Sequence, residues 1–389
     1  MITDPAQSPP PQKATPRAAG PNTGWRADVA AFWVGFSQPS ALAFASFSAS
    51  LLASLALCLW FFSESTIASS FGRYLPRSKV DDFGFVTHAA LREGRIVADR
   101  PRLIILGTST IAQAFGSGRE LETMIRKATG QDWQVVMLVT ALQDTAEQFA
   151  LIDRVLESQT ATSARAVVAL GTGLQRLRWT TDDPLRFAEE RRLGLRSDWE
   201  DDEVARLGGT AQPRTGFYPY DNYRFVLLNG SEALLRLALG RTAQRVVDHF
   251  TDGTPGAFPQ SGRDSMGERM RRTFLQRDQY FKQIDRLLAH MATRPNASLV
   301  LFQELLSPGL LANQKLGEIG DQLSRETAEY VASRGIGYWP ISIEAQLPES
   351  DFFDDLHVFS DDALQDTIRQ LIVRHLVQML AAEDQSDGT

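Results

Sequence analysis

The sequence predicts an α/β protein, a three-layer α/β/α domain with a mainly parallel sheet, preceded by one transmembrane helix. Three observations predict it. Short continuous apolar runs at 103–106, 135–139 and 166–170 alternate with stretches of helical period, the rhythm of strands buried on both faces. The same rhythm resumes after an irregular segment, with apolar runs at 298–302 and 336–341. Finally, residues 41–62 read ALAFASFSASLLASLALCLWFF without one charge, and as a helix they extend about 33 Å, enough to cross a bilayer core.

Taken in order, residues 1–40 are rich in proline, alanine and polar residues, include Pro9-Pro10-Pro11 and carry no apolar period, so a disordered tail is expected. Residues 41–62 form the transmembrane helix, with Trp33 and Trp60 placed for the interfacial belts. A cleaved signal peptide is the competing reading, since Thr66-Ile67-Ala68 offers small residues. The long preceding tail and the length of the run favour an uncleaved anchor. Lys13, Arg17 and Arg26 precede the run while Arg73, Arg77 and Lys79 follow it, so charge alone does not orient it. Residues 63–100 mix aromatic, charged and small residues and are expected to be a linker or stalk, or a cap against the domain.

The domain is expected over 101–380. Its strands are joined by helices at 120–127 and from Asp144, where Glu147 follows three residues later in the manner of a capped start. An insertion at about 174–272 breaks the rhythm, with an acidic cluster at 198–203 and an aromatic loop, Phe217-Tyr218-Pro219-Tyr220, before apolar residues at helical spacing over 225–239. Helices then follow at 273–292 and 314–333. A closing helix opens on Asp361 and Asp362, where acid suits the dipole, and carries Leu364, Ile368, Leu371, Ile372, Leu376 and Met379 as its stripe. Residues 381–389 are a second disordered tail.

The 389 residues are 43 % apolar, enough for a sizeable core, and the net charge of -7 speaks against nucleic acid, whose phosphates call for a basic face. Cys58 is the single cysteine and lies inside the apolar run, which excludes an intrachain disulfide or a thiolate cluster. His88, His249, His290, His357 and His375 show no metal-ligand spacing. No metal or cofactor is expected.

Chemistry concentrates in two stretches. Asp354-Asp355-Leu356-His357 places an aspartate where it can hold one imidazole nitrogen and fix the tautomer. Gly107-Thr108-Ser109 ends the first strand on a hydroxyl, at the carboxyl edge where parallel sheets collect function. Ser109, His357 and Asp354 are thus the candidate nucleophile, base and orienter. Ser109 and Gly173, the latter in Gly171-Thr172-Gly173 after the third strand, are candidate oxyanion donors. Asp355 is the unused neighbour.

These two blocks resemble the SGNH or GDSL hydrolase family. Its serine follows the first strand in a Gly-Asp-Ser block, and its last block is Asp-x-x-His before a final helix. The resemblance covers about 101–380, with the insertion unmatched, and implies the SGNH/flavodoxin-like fold and ester chemistry. It departs at the middle blocks: the second strand exits on Thr140-Ala141-Leu142-Gln143, and Gly173 stands where the family carries asparagine. With an N-terminal anchor, the chain is similar to SGNH-like proteins that work beside membrane-bound O-acyltransferases on cell-envelope polysaccharide. That implies such a partner, a glycan substrate and a domain outside the cytoplasmic membrane. Two other readings stand beside it: a scaffold that binds a polymer or an acyltransferase without chemistry, and an esterase facing membrane lipid.

Overall fold

The computed structural model describes residues 41–69, 83–140, 143, 145–174, 192–206, 208, 210, 213–229, 260–354, 356–359 and 361–386. The expected tail at 1–40, residues 387–389, residues 70–82, and about half of the insertion, chiefly 175–191 and 230–259, lie outside them. The disordered tail expected at 381–389 is corrected where it is described: residues 381–386 are helical, the end of the helix Asp362–Ser386 that packs on the sheet.

The chain divides into two compact units, Met1–Leu59 and Trp60–Thr389. Within the first, the described residues belong to helix α1, Ala41–Phe61, whose stretch Ala43–Phe61 is long and apolar enough to cross a membrane. Its last residues, Trp60 and Phe61, are counted with the second unit.

The second unit is built on five parallel strands in the order β2-β1-β3-β4-β5. They are β1 (Arg102–Gly107), β2 (Gln134–Val139), β3 (Ala166–Thr172), β4 (Ala297–Gln303) and β5 (Gly337–Trp339). β1 and β3 are buried at every position, which is why they read as unbroken apolar runs. Register aligns Leu103 with Val135 on one side and with Val167 on the other.

Alternate strand residues serve opposite layers. Ile104, Leu106, Val168, Leu170 and Leu301 face a core shared with helices α3 (Phe83–Glu93), α6 (Thr145–Val155), α7 (Arg277–Met291) and α8 (Gly317–Arg334). Leu103, Ile105, Val167, Ala169, Val300 and Phe302 face the other core, covered by α4 (Ser109–Phe115), α5 (Gly118–Thr129) and α9 (Asp362–Ser386). Leu170 is fully buried, so truncating it to alanine costs about 2–5 kcal/mol.

Of the two forms expected for residues 63–100, the described residues take the cap against the domain and not the stalk. Helix α2 (Glu64–Ala68) and α3 are short helices whose Ile67, Ala68, Val86, Ala90 and Leu91 are buried in the first core together with Phe61 and Phe62. The single helix expected at 273–292 is two, Gln260–Phe274 and α7, because Arg277 turns back to donate to the Phe274 carbonyl and pairs with Glu326 of α8. The helix expected at 314–333 is likewise preceded by a separate turn of helix, Pro308–Asn313, capped by Ser307. Of the helix expected over 225–239, residues 223–229 are helical and the rest lie outside the described residues.

Candidate active site

β1 is pinned between β2 and β3 and stops at Gly107, so the next residues leave the sheet from an inner strand. Thr108 is extended (φ -90°, ψ -177°) and α4 begins on Ser109. A serine at the first position of a helix has an N–H with no intrahelical acceptor, available to a developing oxyanion.

The other half of the site is local. Residues 352–358 close on themselves, with Phe352 bridged to Val358 and the Phe353 N–H donating to the His357 carbonyl at 3.0 Å. Inside that loop Asp354 Oδ1 accepts the backbone N–H of Leu356 at 2.8 Å and of His357 at 2.7 Å. Its Oδ2 lies 2.8 Å from His357 Nδ1. The Phe353 ring stacks on the imidazole, centroids 5.5 Å apart and planes within 10°. Asp355 lies outside the described residues.

The two halves meet: Ser109 Oγ lies 2.8 Å from His357 Nε2. Burial would raise the Asp354 carboxyl, but hydrogen bonds from His357 and from the Leu356 N–H outweigh it, and the group is held below the usual carboxylate range. An ionised Asp354 requires the proton on Nδ1, which leaves Nε2 to accept the Ser109 hydroxyl hydrogen. The Asp354 side chain is 8 % exposed and that of His357 19 %, so the imidazole can be reached while its orienter is shielded.

Gly173 sits buried just past β3, in the wall of a cavity of about 200 Å³ that also meets Leu174, Glu304, Ser324, Tyr338 and Phe352. At the exit of β2, the Thr140 N–H donates to the Gly107 carbonyl at 3.3 Å and Gln143 Nε2 to the Leu138 carbonyl at 2.8 Å, while Ala141 and Leu142 lie outside the described residues.

Sequence reasoning missed Glu304. It follows β4, is 1 % exposed, and accepts the Thr108 N–H and the Thr108 hydroxyl at 3.3 Å each. Two glycines make room: a Cβ on Gly171 would stand 2.4 Å from Glu304 Oε1, and one on Gly107 3.1 Å from it. The signal was available only in retrospect, as glycines at the ends of two adjacent strands with an acid at the end of the third. The remaining described histidines are engaged elsewhere: His88 Nδ1 at the Ile67 carbonyl, His290 with Asp153, His375 with Glu344 and against the Trp339 ring.

No family model matches the chain, and no curated protein matches it. One solved structure, from Bacteroides fragilis and described only as a candidate acylhydrolase, is similar to 75 % of this chain over 95 % of its own length, at 9 % identity and a TM-score of 0.37. A likeness that loose bears on neither fold nor chemistry here.

Proposed function

We propose that the chain is a membrane-anchored serine acyltransferase or esterase of the SGNH-like kind, acting on a cell-envelope polysaccharide. The observation that carries the reading is the pair of hydrogen bonds at the two nitrogens of one imidazole, Ser109 Oγ to His357 Nε2 and His357 Nδ1 to Asp354 Oδ2, both 2.8 Å. His357 removes the Ser109 proton as Oγ attacks an ester carbonyl, and Asp354 steadies the imidazolium. The imidazolium returns that proton to the departing alkoxide, leaving an acyl-serine and a neutral histidine. A sugar hydroxyl or water then gives its proton to His357, attacks the acyl carbon, and Ser109 recovers its hydrogen. The Ser109 N–H supports the oxyanion in both halves, and Gly173 is the second candidate donor.

In this reading the domain lies on the periplasmic or extracellular side of the cytoplasmic membrane, where such polymers are found, and receives acyl groups from a membrane-bound O-acyltransferase. Protease added to spheroplasts should digest the domain and spare cytoplasmic proteins; a protected domain would reverse the orientation. The chemistry is tested with the detergent-solubilised full chain and a fluorophosphonate ester. A phosphonate adduct on Ser109, absent in His357→Ala, is expected. A native chain that stays unlabelled and turns over no ester would instead favour the scaffold reading, which the departures at Thr140-Ala141-Leu142-Gln143 and Gly173 support.

A further inference from the structure

Outside α1, the described residues include ten large apolar side chains left exposed, and seven of them fall on two short segments: Ile96 and Val97, and Phe217, Tyr220, Tyr223, Leu227 and Leu228. Both segments converge on Glu64, three residues beyond the end of α1. Arg95, next to Ile96, donates to Glu64 Oε1 at 3.0 Å, and Ser158 Oγ holds the Ile96 carbonyl at 2.6 Å. On the other side, Glu64, Arg154, Arg214, Tyr218 and Asn222 share the walls of one cleft.

The second segment is fastened rigidly with its apolar residues outward. Asp221 accepts the N–H groups of Thr215 and Gly216, the Tyr218 hydroxyl donates to the Gly194 carbonyl at 2.6 Å, and Phe225 is fully buried in the first core. Tyr220 between these fixed points, and Leu227 two residues past the last of them, are nonetheless 65 % and 72 % exposed. A fold that ties down the backbone while turning aromatic and aliphatic side chains to solvent has placed them for another medium. Tyrosines with an apolar body and a polar tip suit the level of lipid headgroups.

We infer that this face, centred on Glu64 and formed by Ile96, Val97, Phe217, Tyr220, Tyr223 and Leu227, lies in the headgroup layer of the bilayer that α1 enters. The inference rests on the membrane-anchored reading and adds to it a fixed lipid-facing side of the catalytic unit. Phe61 and Phe62, buried in the core of that same unit, keep the face within a few residues of the membrane exit. Of the cations near the face, Arg95 pairs with Glu64 and Arg214 with Asp201, and Arg224 is the one other described cation of the second segment. Apolar insertion rather than charge therefore holds the face, and anionic lipid adds little.

The test uses the full chain in phosphatidylcholine nanodiscs, in a Cys58→Ser background, with single cysteines carrying an environment-sensitive fluorophore and nitroxide-bearing lipids as quenchers. Tyr220→Cys, Leu227→Cys and Val97→Cys are expected to lose fluorescence to headgroup-level nitroxide, unchanged by salt or by added phosphatidylglycerol. Lys127→Cys, on the opposite layer, should lose none, and Leu55→Cys should be quenched by acyl-chain nitroxide. Quenching at 55 without any at 97, 220 and 227 would overturn the inference and leave the anchor standing. No quenching at 55 would overturn the anchor and the inference together. Shielding of 220 from aqueous iodide without lipid quenching would overturn it in favour of a protein partner.

Discussion

Glu304 reaches from the end of β4, across Gly171, to the N–H and hydroxyl of Thr108, the residue that immediately precedes Ser109. The position of Ser109 is thereby tied to a strand two places away in the sheet. Replacing Glu304 by alanine leaves both Thr108 groups without that acceptor, a cost of about 1–3 kcal/mol, and frees the turn that aims Ser109. Phosphonate labelling of Ser109 should slow more than the loss of thermal stability explains, with Glu304→Gln in between because one acceptor oxygen survives. Gly171→Ala, whose Cβ would collide with the carboxylate, should reproduce the defect. Labelling at the native rate in both Glu304→Ala and Gly171→Ala would dismiss this role.

Ser109→Ala removes one half-buried hydroxyl and little packing. Ester turnover or polymer acylation should fall by about 10⁴-fold or more, with circular dichroism and melting temperature unchanged. A folded, membrane-bound Ser109→Ala protein with native activity would end the enzyme reading.

Asp354→Asn keeps an oxygen for the backbone N–H groups of Leu356 and His357, so the loop should survive. The amide cannot hold the Nδ1 proton as the carboxylate does, and turnover should drop by about 10³- to 10⁴-fold. Comparing kcat with KM for a soluble ester separates this from lost binding: kcat should carry the change.

Asp153 binds His290 at 2.7 Å and Arg294 at 2.9 Å. Burial opposes its ionisation, yet these partners hold its carboxyl below the usual range, as His357 does for Asp354. A carboxyl whose folded pKa is depressed stabilises the fold above its unfolded value of about 3.9, and that contribution disappears as pH falls through the lower folded pKa. Urea unfolding should therefore show a plateau near neutrality and a decline below about pH 4. Asp153→Asn should lower the plateau and flatten the decline. An unchanged acid limb in that variant would remove Asp153 from the account.

The sheet was legible because β1 and β3 are buried on both faces, so no polar residue interrupts Leu103-Ile104-Ile105-Leu106 or Ala166-Val167-Val168-Ala169-Leu170. Asp354 and His357 were legible because their spacing is itself the contact. Glu304 was not, since an acid just after a strand resembles any polar exit until register sets Gly171 opposite Phe302. The break after Phe274 was equally hidden: no glycine or proline marks it, and it comes from Arg277 reaching Glu326, 49 residues on. The face around Glu64 draws on segments more than 100 residues apart, and its separate hydrophobic residues say nothing of their meeting.

The loop around His357 closes over seven residues, whereas its partnership with Ser109 spans 248. Closing the short loop costs little chain entropy and needs no sheet. In the order of folding, His357 and Asp354 can form early as a pair, and Ser109 joins them only when the inner strands have docked. Loosening that sheet separates serine from histidine before it separates histidine from aspartate, so the ability to acylate Ser109 is a sensitive reporter of whether the whole domain is assembled.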